Sequence, residues 1–333
     1  KKNFLPWLRL RLTYPGENQS EVLQLHFSII VVTTNQGILN DDEAANMLNH
    51  QFIRSGEYSS TVRYEHPSVD AYKKKTSSSN SIVLAPATEH ELSNIMRNLK
   101  NNAAAGYDDI KPAAVKYVMD IICSPLTHVI NCMLEQGVFP EALKLARVCP
   151  VHKGGTDYTF NNYRPISVLP VMSKIFETVI NVRVDGFVQK YSIMSDVQYG
   201  FRKKRSCEEA LLSIKHEIIN NIEQRLYTIG LFLDLRKAFD SVSHAILLTK
   251  IYDCGIRGIA HDLIRSYLQN RYQYVSINNS KSTKLKILQG VPQGSILGPL
   301  LFNLYINDLA YIPYSQSVIM YADDTNVFFA GKS

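Results

Sequence analysis

Few cysteines, no long apolar run and no recognisable leader narrow the possibilities for this 333-residue sequence before any motif is read. Its five cysteines, Cys123, Cys132, Cys149, Cys207 and Cys254, are odd in number, lie far apart and form no C-x-x-C pair. That spacing argues against a disulfide framework or a zinc knuckle and in favour of reduced thiols. No apolar stretch reaches the roughly 18 to 20 residues that a membrane-spanning helix requires. The N-terminus, KKNFLPWLRLRL, lacks the apolar core and small-residue cleavage site of a signal peptide. No internal repeat is present. A soluble, intracellular protein is therefore expected. A hydrophobic content of 45% is that of a globular chain, and at ~150 residues per domain the length suggests roughly two domains. Lys and Arg number 36 against 30 Asp and Glu, for a formal charge of +6, a balance that hints at a polyanionic partner.

The stretch around which the rest is organised is VIMYADDTNVFF, residues Val318 to Phe329. Two apolar runs flank adjacent acids, Asp323 and Asp324, a pattern that reads as a hairpin with the carboxylates at its tip. On its own an acidic turn is usually a solvated connection. Upstream, however, IGLFLDLRKAFD places Asp234 directly after Leu231, Phe232 and Leu233. A carboxylate entering a buried strand is costly unless a positive group meets it. Convergence of Asp234, Asp323 and Asp324 on shared divalent cations accounts for both stretches, since a few hard oxygen ligands completed by substrate phosphates suit Mg²⁺.

The remaining chain divides by pattern. The start combines a basic segment, a β-branched run (Ile29 to Thr34) and a helical piece with Ala44, Met47, Leu48 and Phe52 on one face. The solvated run Lys73 to Ser81 marks a boundary. Thr88 and Glu91 form a capping box for a helix carrying Leu92, Ile95, Met96 and Leu99. Tyr107, Asp108 and Asp109 follow no apolar strand and read as a turn, not a second metal site. VCPVHKGG and NNYRPISVLP read as two extended pieces that set Lys153 and Arg164 across a hairpin. Such a pair suits a nucleotide triphosphate, although a Lys or Arg is more often only a surface cation.

A strong helix is expected over Val171 to Val188, with Ile175, Phe176, Val179, Ile180, Val184 and Phe187 buried. Arg202, Lys203, Lys204 and Arg205 precede a helix capped by Ser206 and Glu209, with Leu211, Ile214 and Ile218 as its buried face. Cations at a helix entrance run against its dipole, so the cluster reads either as a nucleic-acid phosphate site or as a solvated charge run. Two helices broken at Gly255 follow. Then comes a hairpin turning near Asn278 to Ser280, with Arg271, Lys284 and Lys286 facing outward. In the loop beyond it, Gly290, Pro292 and Gly294 permit close backbone approach to a ligand.

In this order, LDLRKAFDSV, QGVPQGSILGPLLFNLYIND and YADD resemble the three palm motifs of reverse transcriptases. NYRPISVLPVMSKIFE and QYGFRKKRSCEEAL resemble the finger motifs of the non-LTR, LINE-type branch. The likeness spans residues 82–330, with a weaker echo over 37–52. It implies an α+β fold with the fingers and palm of a right-hand polymerase, the palm being an antiparallel sheet packed on helices. The implied divisions are an N-terminal extension and linker (1–81), fingers (82–226) and palm (227–333).

The implied activity is RNA-directed DNA polymerisation, in which dNTPs are added to a DNA primer 3′-hydroxyl on an RNA template by two-metal phosphoryl transfer. By resemblance, Asp234, Asp323 and Asp324 hold two Mg²⁺ ions, with Mn²⁺ as a substitute. Phe239 stands where the family has its sugar-discriminating aromatic, Gln293 and Gly294 contact the nucleotide, and Lys153 and Arg164 meet its triphosphate. Arg202 to Arg205 would contact nucleic acid, and nuclear action is implied. Because the sequence stops at Ser333 and shows no endonuclease and no Cys/His knuckle, a thumbless internal piece of a polyprotein is expected. The alternative is a truncated, inactive element product that only binds nucleic acid. A metal-dependent nuclease is a weaker reading, because it gives no reason for an aromatic at Phe239.

Overall fold

Apolar spacing and turn chemistry set most element boundaries. The computed structural model describes residues 33–34, 37–38, 40–54, 78–154, 159–235, 237–311, 315 and 317–332, all within one compact unit, Val31–Ser333. The basic N-terminal segment, most of the Ile29 to Thr34 run and Lys73 to Ser77 lie outside the described residues.

Strands β1 (Thr33–Thr34) and β2 (Gly37–Ile38) pair antiparallel and lead into helix α1 (Asp41–Arg54). Ala44, Leu48 and Phe52 are buried as their spacing predicts, whereas Met47 is exposed. Helix α2 (Glu89–Arg97) starts where Thr88 Oγ1 accepts the Glu91 N–H at 3.1 Å. The Glu91 carboxylate, which the Thr88 backbone also meets, takes a two-pronged Arg183, with Nη2 2.8 Å from Oε2. That guanidinium holds Glu91 below the usual carboxylate range and ties the start of α2 to a later helix. Tyr107 to Asp109 lie in a turn, and Asp109 faces Arg147 at 3.4 Å. Helices α3 (Pro112–Tyr117) and α4 (Met119–Gln136) follow, the second closed by Gly137 at φ +68.

Strands β3 (Leu145–His152) and β4 (Tyr163–Val168) form the expected antiparallel pair, with Val151 opposite Arg164. In α5 (Val171–Lys190) all six residues of the apolar stripe are buried. Helix α6 (Cys207–Glu223) has both halves of its Ser206–Glu209 capping box, but its expected buried face is corrected: Leu211 and Ile218 are exposed. The helix rests instead on a narrower stripe, with Ala210 and Asn221 buried and Ile214 partly so.

After β5 (Tyr227–Leu233) come α7 (His244–Asp253) and α8 (Ile259–Leu268), which bury Leu247, Ile251, Leu263, Ile264, Tyr267 and Leu268. They are parted at Gly255, φ +102, where a Cβ would come within 2.3 Å of the Asn80 carbonyl. Strands β6 (Arg271–Ile277), β7 (Ser280–Lys281) and β8 (Leu285–Ile287) complete a mixed sheet with β3 and β4, in which β3 and β6 run parallel. Lys284 and Lys286 point outward, but Arg271 is buried, against expectation. Its guanidinium stacks on the Tyr267 ring at 4.8 Å and lies in the field of buried Glu177. Paired charge of this kind is what lets an arginine leave water.

Helix α9 (Gly298–Ile306) and the ribbon β9 (Ser317–Tyr321) and β10 (Asp324–Gly331) end the described chain. The order β5-β10-β9 makes a separate antiparallel sheet, whose inner face adds Val318, Met320 and Val327 to the main core. Helix α1 packs on β6, β7 and β8. Its buried Asn49 donates to Ser282 Oγ (3.0 Å) and to the Thr283 carbonyl (2.8 Å), and accepts from Gln273 Nε2 (3.0 Å).

Candidate active site

The register of the small sheet brings the acids together. Thr325 pairs with Leu233, so Asp324 and Asp234 are the next positions on the two strands and leave the ladder side by side. On the other side Asp324 pairs with Tyr321, which makes Ala322 and Asp323 a two-residue loop. Ala322 has φ +54, the left-handed backbone that such a loop uses at its first position. Burial, then the charges of Asp323 and Asp234, push the Asp324 carboxyl above its ordinary range. Among the described residues no three His, Cys, Asp or Glu side chains are arranged to hold a metal ion by themselves. The donor set nevertheless fits a hard divalent cation: it is all carboxylate oxygen, and the repulsion that raises Asp324 is what a cation would relieve. Such an open set leaves positions for substrate oxygens.

One expectation needs correction. Strand β5 is not buried: Ile229, Leu231 and Phe232 are 68%, 48% and 67% exposed, and Asp234 is exposed too. Among the described residues β5 is an edge strand bonded to β10 alone, and Phe232 meets the Phe328 ring of β10 edge-on at 6.2 Å.

The turn after Asp234 meets the 290–294 loop through backbone and side chain alike. The N–H groups of Gly290 and Val291 donate to the carbonyls of Val242 (2.7 Å) and Phe239 (2.8 Å). Gln293 Nε2 donates to Asp240 Oδ1 at 2.8 Å, and the Gln293 carbonyl accepts the Ser167 N–H at 2.8 Å. Gly290 (φ +86) and Gly294 (φ +110) are required where they stand, because a Cβ would meet the Asp240 carbonyl at 2.8 Å and the Ser167 carbonyl at 2.6 Å respectively. Phe239 stacks on Phe302 at 4.4 Å and takes the edge of Phe201 at 6.0 Å, which makes it a braced aromatic wall. Phe201 is 59% exposed at φ +54.

Asp240 escaped the sequence reading. Burial pushes its carboxyl up to about 6, against the lowering effect of the Gln293 hydrogen bond and the Lys237 and Lys153 charges. An acid set between Ala238, Phe239 and Val242 was the available signal. Its partner, 53 positions away, was not.

The cations fall into two groups. Lys153 lies opposite Asn162, its N–H donating to that carbonyl at 2.7 Å, and Arg164 lies opposite Val151. Both are therefore on one face of the ribbon, and both are exposed. In the 202–205 cluster much of the charge is engaged locally. Arg202 Nη1 donates to the carbonyls of Ser195 (2.7 Å) and Gln198 (3.2 Å). Arg205 meets Asp196 at 3.3 Å and caps the Tyr199 ring at 5.0 Å, and Lys203 lies 3.4 Å from Asp185.

A mixed α/β body carrying an antiparallel ribbon with acids at its tip is consistent with the fingers and palm of a polymerase. The family described as reverse transcriptase (RNA-dependent DNA polymerase) matches residues 151–333. The chain is 33% identical over 254 residues to a probable RNA-directed DNA polymerase from transposon X-element of Drosophila melanogaster, covering 75% of this chain and 28% of that protein. It is 31% identical over 261 residues to the RNA-directed DNA polymerase from mobile element jockey of the same species, covering 76% and 28%. A more distant likeness, 29% over 151 residues, is to the group II intron-encoded protein LtrA of Lactococcus lactis subsp. cremoris, covering 44% and 22%. The chain belongs to the reverse transcriptase family. It spans less than a third of the length of the X-element and jockey proteins. The likeness to the non-LTR branch expected from the finger motifs agrees with these mobile-element relatives. Among the described residues no helix is long and apolar enough to cross a membrane.

Proposed function

We propose that this chain is the RNA-directed DNA polymerase region of a non-LTR retrotransposon protein, extending a DNA primer on an RNA template with dNTPs. The observation that carries the reading is the register that sets Asp234 beside Asp324 at the joined ends of β5 and β10. Asp234, Asp323 and Asp324 would hold divalent cations, with two Mg²⁺ as the natural complement and Mn²⁺ as a substitute. When bound, such ions supply positive charge at the attacking 3′-hydroxyl and at the leaving pyrophosphate.

The chain's own groups do the rest. Lys153 and Arg164, on one face of the β3–β4 ribbon, receive the triphosphate, the first as a point charge and the second as a bidentate fork. Phe239, backed by Phe302, lies under the sugar and leaves no room for a 2′-hydroxyl. Gln293 is held by Asp240 and, with Gly294, offers backbone to the incoming nucleotide. In the basic cluster Lys203 and Lys204 meet nucleic-acid phosphate, while Arg202 and Arg205 serve mainly to hold the 195–199 loop. Action in the nucleus follows from the same reading.

The test is dNTP incorporation on a primed RNA template with Mg²⁺. Asp323→Asn is expected to abolish incorporation, and activity that survives this change would remove the assignment. Salt-dependent RNA binding without turnover in the unaltered protein would favour the inactive alternative. Phe239→Val is expected to admit ribonucleotides, and unchanged sugar discrimination would take Phe239 out of its role.

A further inference from the structure

The loop that carries Asp323 begins with a strained residue. Ala322 is in the left-handed region, where a Cβ is disfavoured. One side chain holds both of its backbone groups. Gln198, only 1% exposed, accepts the Ala322 N–H on Oε1 at 2.9 Å and donates from Nε2 to the Ala322 carbonyl at 3.2 Å. The same Oε1 accepts the Gly200 N–H at 2.8 Å. Around this amide the backbone of residues 197–199 joins β9: Met320 donates to the Val197 carbonyl and Tyr199 donates to the Met320 carbonyl, each at 2.8 Å. Gly200 lies so close that a Cβ there would come within 2.1 Å of the Ala322 nitrogen. From beneath, α9 supports the segment through buried Asn303, which donates to the Gly200 carbonyl at 2.9 Å. Just past α9, Asn307 accepts the Ser195 N–H and donates to the Ile193 carbonyl, both at 2.9 Å.

We propose that Gln198 is a positioning residue for polymerisation: it locks Ala322 in its left-handed conformation and thereby fixes the directions of Asp323 and Asp324. A backbone so disfavoured persists only when its surroundings over-determine it, and Gln198 is the group that does so. The inference rests on the reading of these acids as the catalytic set.

The experiment is amide hydrogen exchange over residues 318–329, alongside Mn²⁺ binding followed by the electron paramagnetic resonance of free Mn²⁺. Gln198→Met keeps the length and removes all three hydrogen bonds. It is expected to speed exchange at the loop about tenfold or more while leaving 171–190 unchanged, and to weaken Mn²⁺ binding by about 10- to 100-fold. Adding Ala322→Gly, which is free to adopt positive φ, is expected to restore most of both. Unchanged exchange at the loop, a loss of protection spread evenly over the chain, or no restoration by Ala322→Gly would each overturn the proposal. If Gln198→Met does not accumulate as folded protein, recovery of folding in the double variant supports the lock, and its failure overturns it. Loop exchange is independent of turnover, so a surviving Asp323→Asn activity would remove the polymerase reading and leave this result standing.

Discussion

Most backbone N–H groups of the 290–297 loop have a named partner, whereas the strand that ends in Asp234 shows Tyr227, Ile229, Leu231 and Phe232 to solvent and, among the described residues, is bonded on one edge alone. Buried Glu177 anchors the loop: its carboxylate accepts the N–H groups of Ile296 (2.8 Å) and Leu297 (3.2 Å) at the start of α9, and the Ser173 hydroxyl (2.9 Å). His244 Nε2 meets the Gly290 carbonyl at 2.8 Å, and Asp240 holds Gln293. At this loop, then, side chains from α5 and α7 and the backbone carbonyls of the post-Asp234 turn hold the backbone, and Asp240 holds the Gln293 side chain. On the acid side, the seven register pairs between β5 and β10 fix Asp234 along the strand, and among the described residues no strand pairs with the outer edge of β5. The difference teaches that one site can be positioned by two means, a polar lock, as at this loop and at Ala322 under Gln198, and a strand ladder, as at Asp234, and that only the first depends on individual buried groups.

Removing the anchor gives the largest expected effect. Glu177→Ala strips two helix-terminal N–H groups of their acceptor and leaves Arg271 without its compensating charge, so a loss of about 3 to 5 kcal/mol is expected in urea unfolding. Glu177→Gln retains an acceptor and should lose distinctly less. Equal losses would mean that the carboxylate charge facing Arg271, which both variants lack, and not the acceptor oxygen, holds the loop.

Asp240 gives the next effect, and its sign is opposite. Its folded-state value of about 6 stands above the ordinary 3.8, so the folded chain binds the extra proton between those values. Stability therefore falls as pH rises through that window and stays lower above it. Asp240→Asn keeps an oxygen for Gln293 and should be more stable at pH 7.5 by up to about 3 kcal/mol, the gap narrowing to roughly half near pH 5. A gap that does not change between those pH values would show that burial of the charge is not the cause.

The same contrast explains which parts were legible in the sequence. Helices α5, α7 and α8 could be read because each packs its full apolar stripe into one core, and periodicity reports that directly. Helix α6 carries a similar stripe, yet it lies on the surface and buries Ala210 and Asn221 instead, a choice set by what it rests on. The hairpin at Asp323 and Asp324 could be read from its two flanking apolar runs, whereas the buried strand expected before Asp234 is open. Asp240, Gln198 and Arg271 could not, since each owes its burial to partners drawn from distant segments: Gln293, Ala322 and Glu177. The Lys153 and Arg164 pair needed only hairpin register, which the two flanking strands supplied.

The smallest expected effect tests the other half of the contrast. A continuous apolar run such as Ile229 to Leu233 reads identically whether it is covered or open, and here it is open. Ile229→Thr and Leu231→Thr keep strand propensity, remove apolar surface already in contact with water, and should each change the stability of this chain by no more than about 0.5 kcal/mol. Val327→Ala, on the paired strand but fully buried in the main core, should cost several times as much, about 1 to 3 kcal/mol. If the two β5 substitutions instead destabilise as strongly as the core one, the strand is covered in solution. The ladder would then have a second support, and the distinction between the two sides of the site would fail.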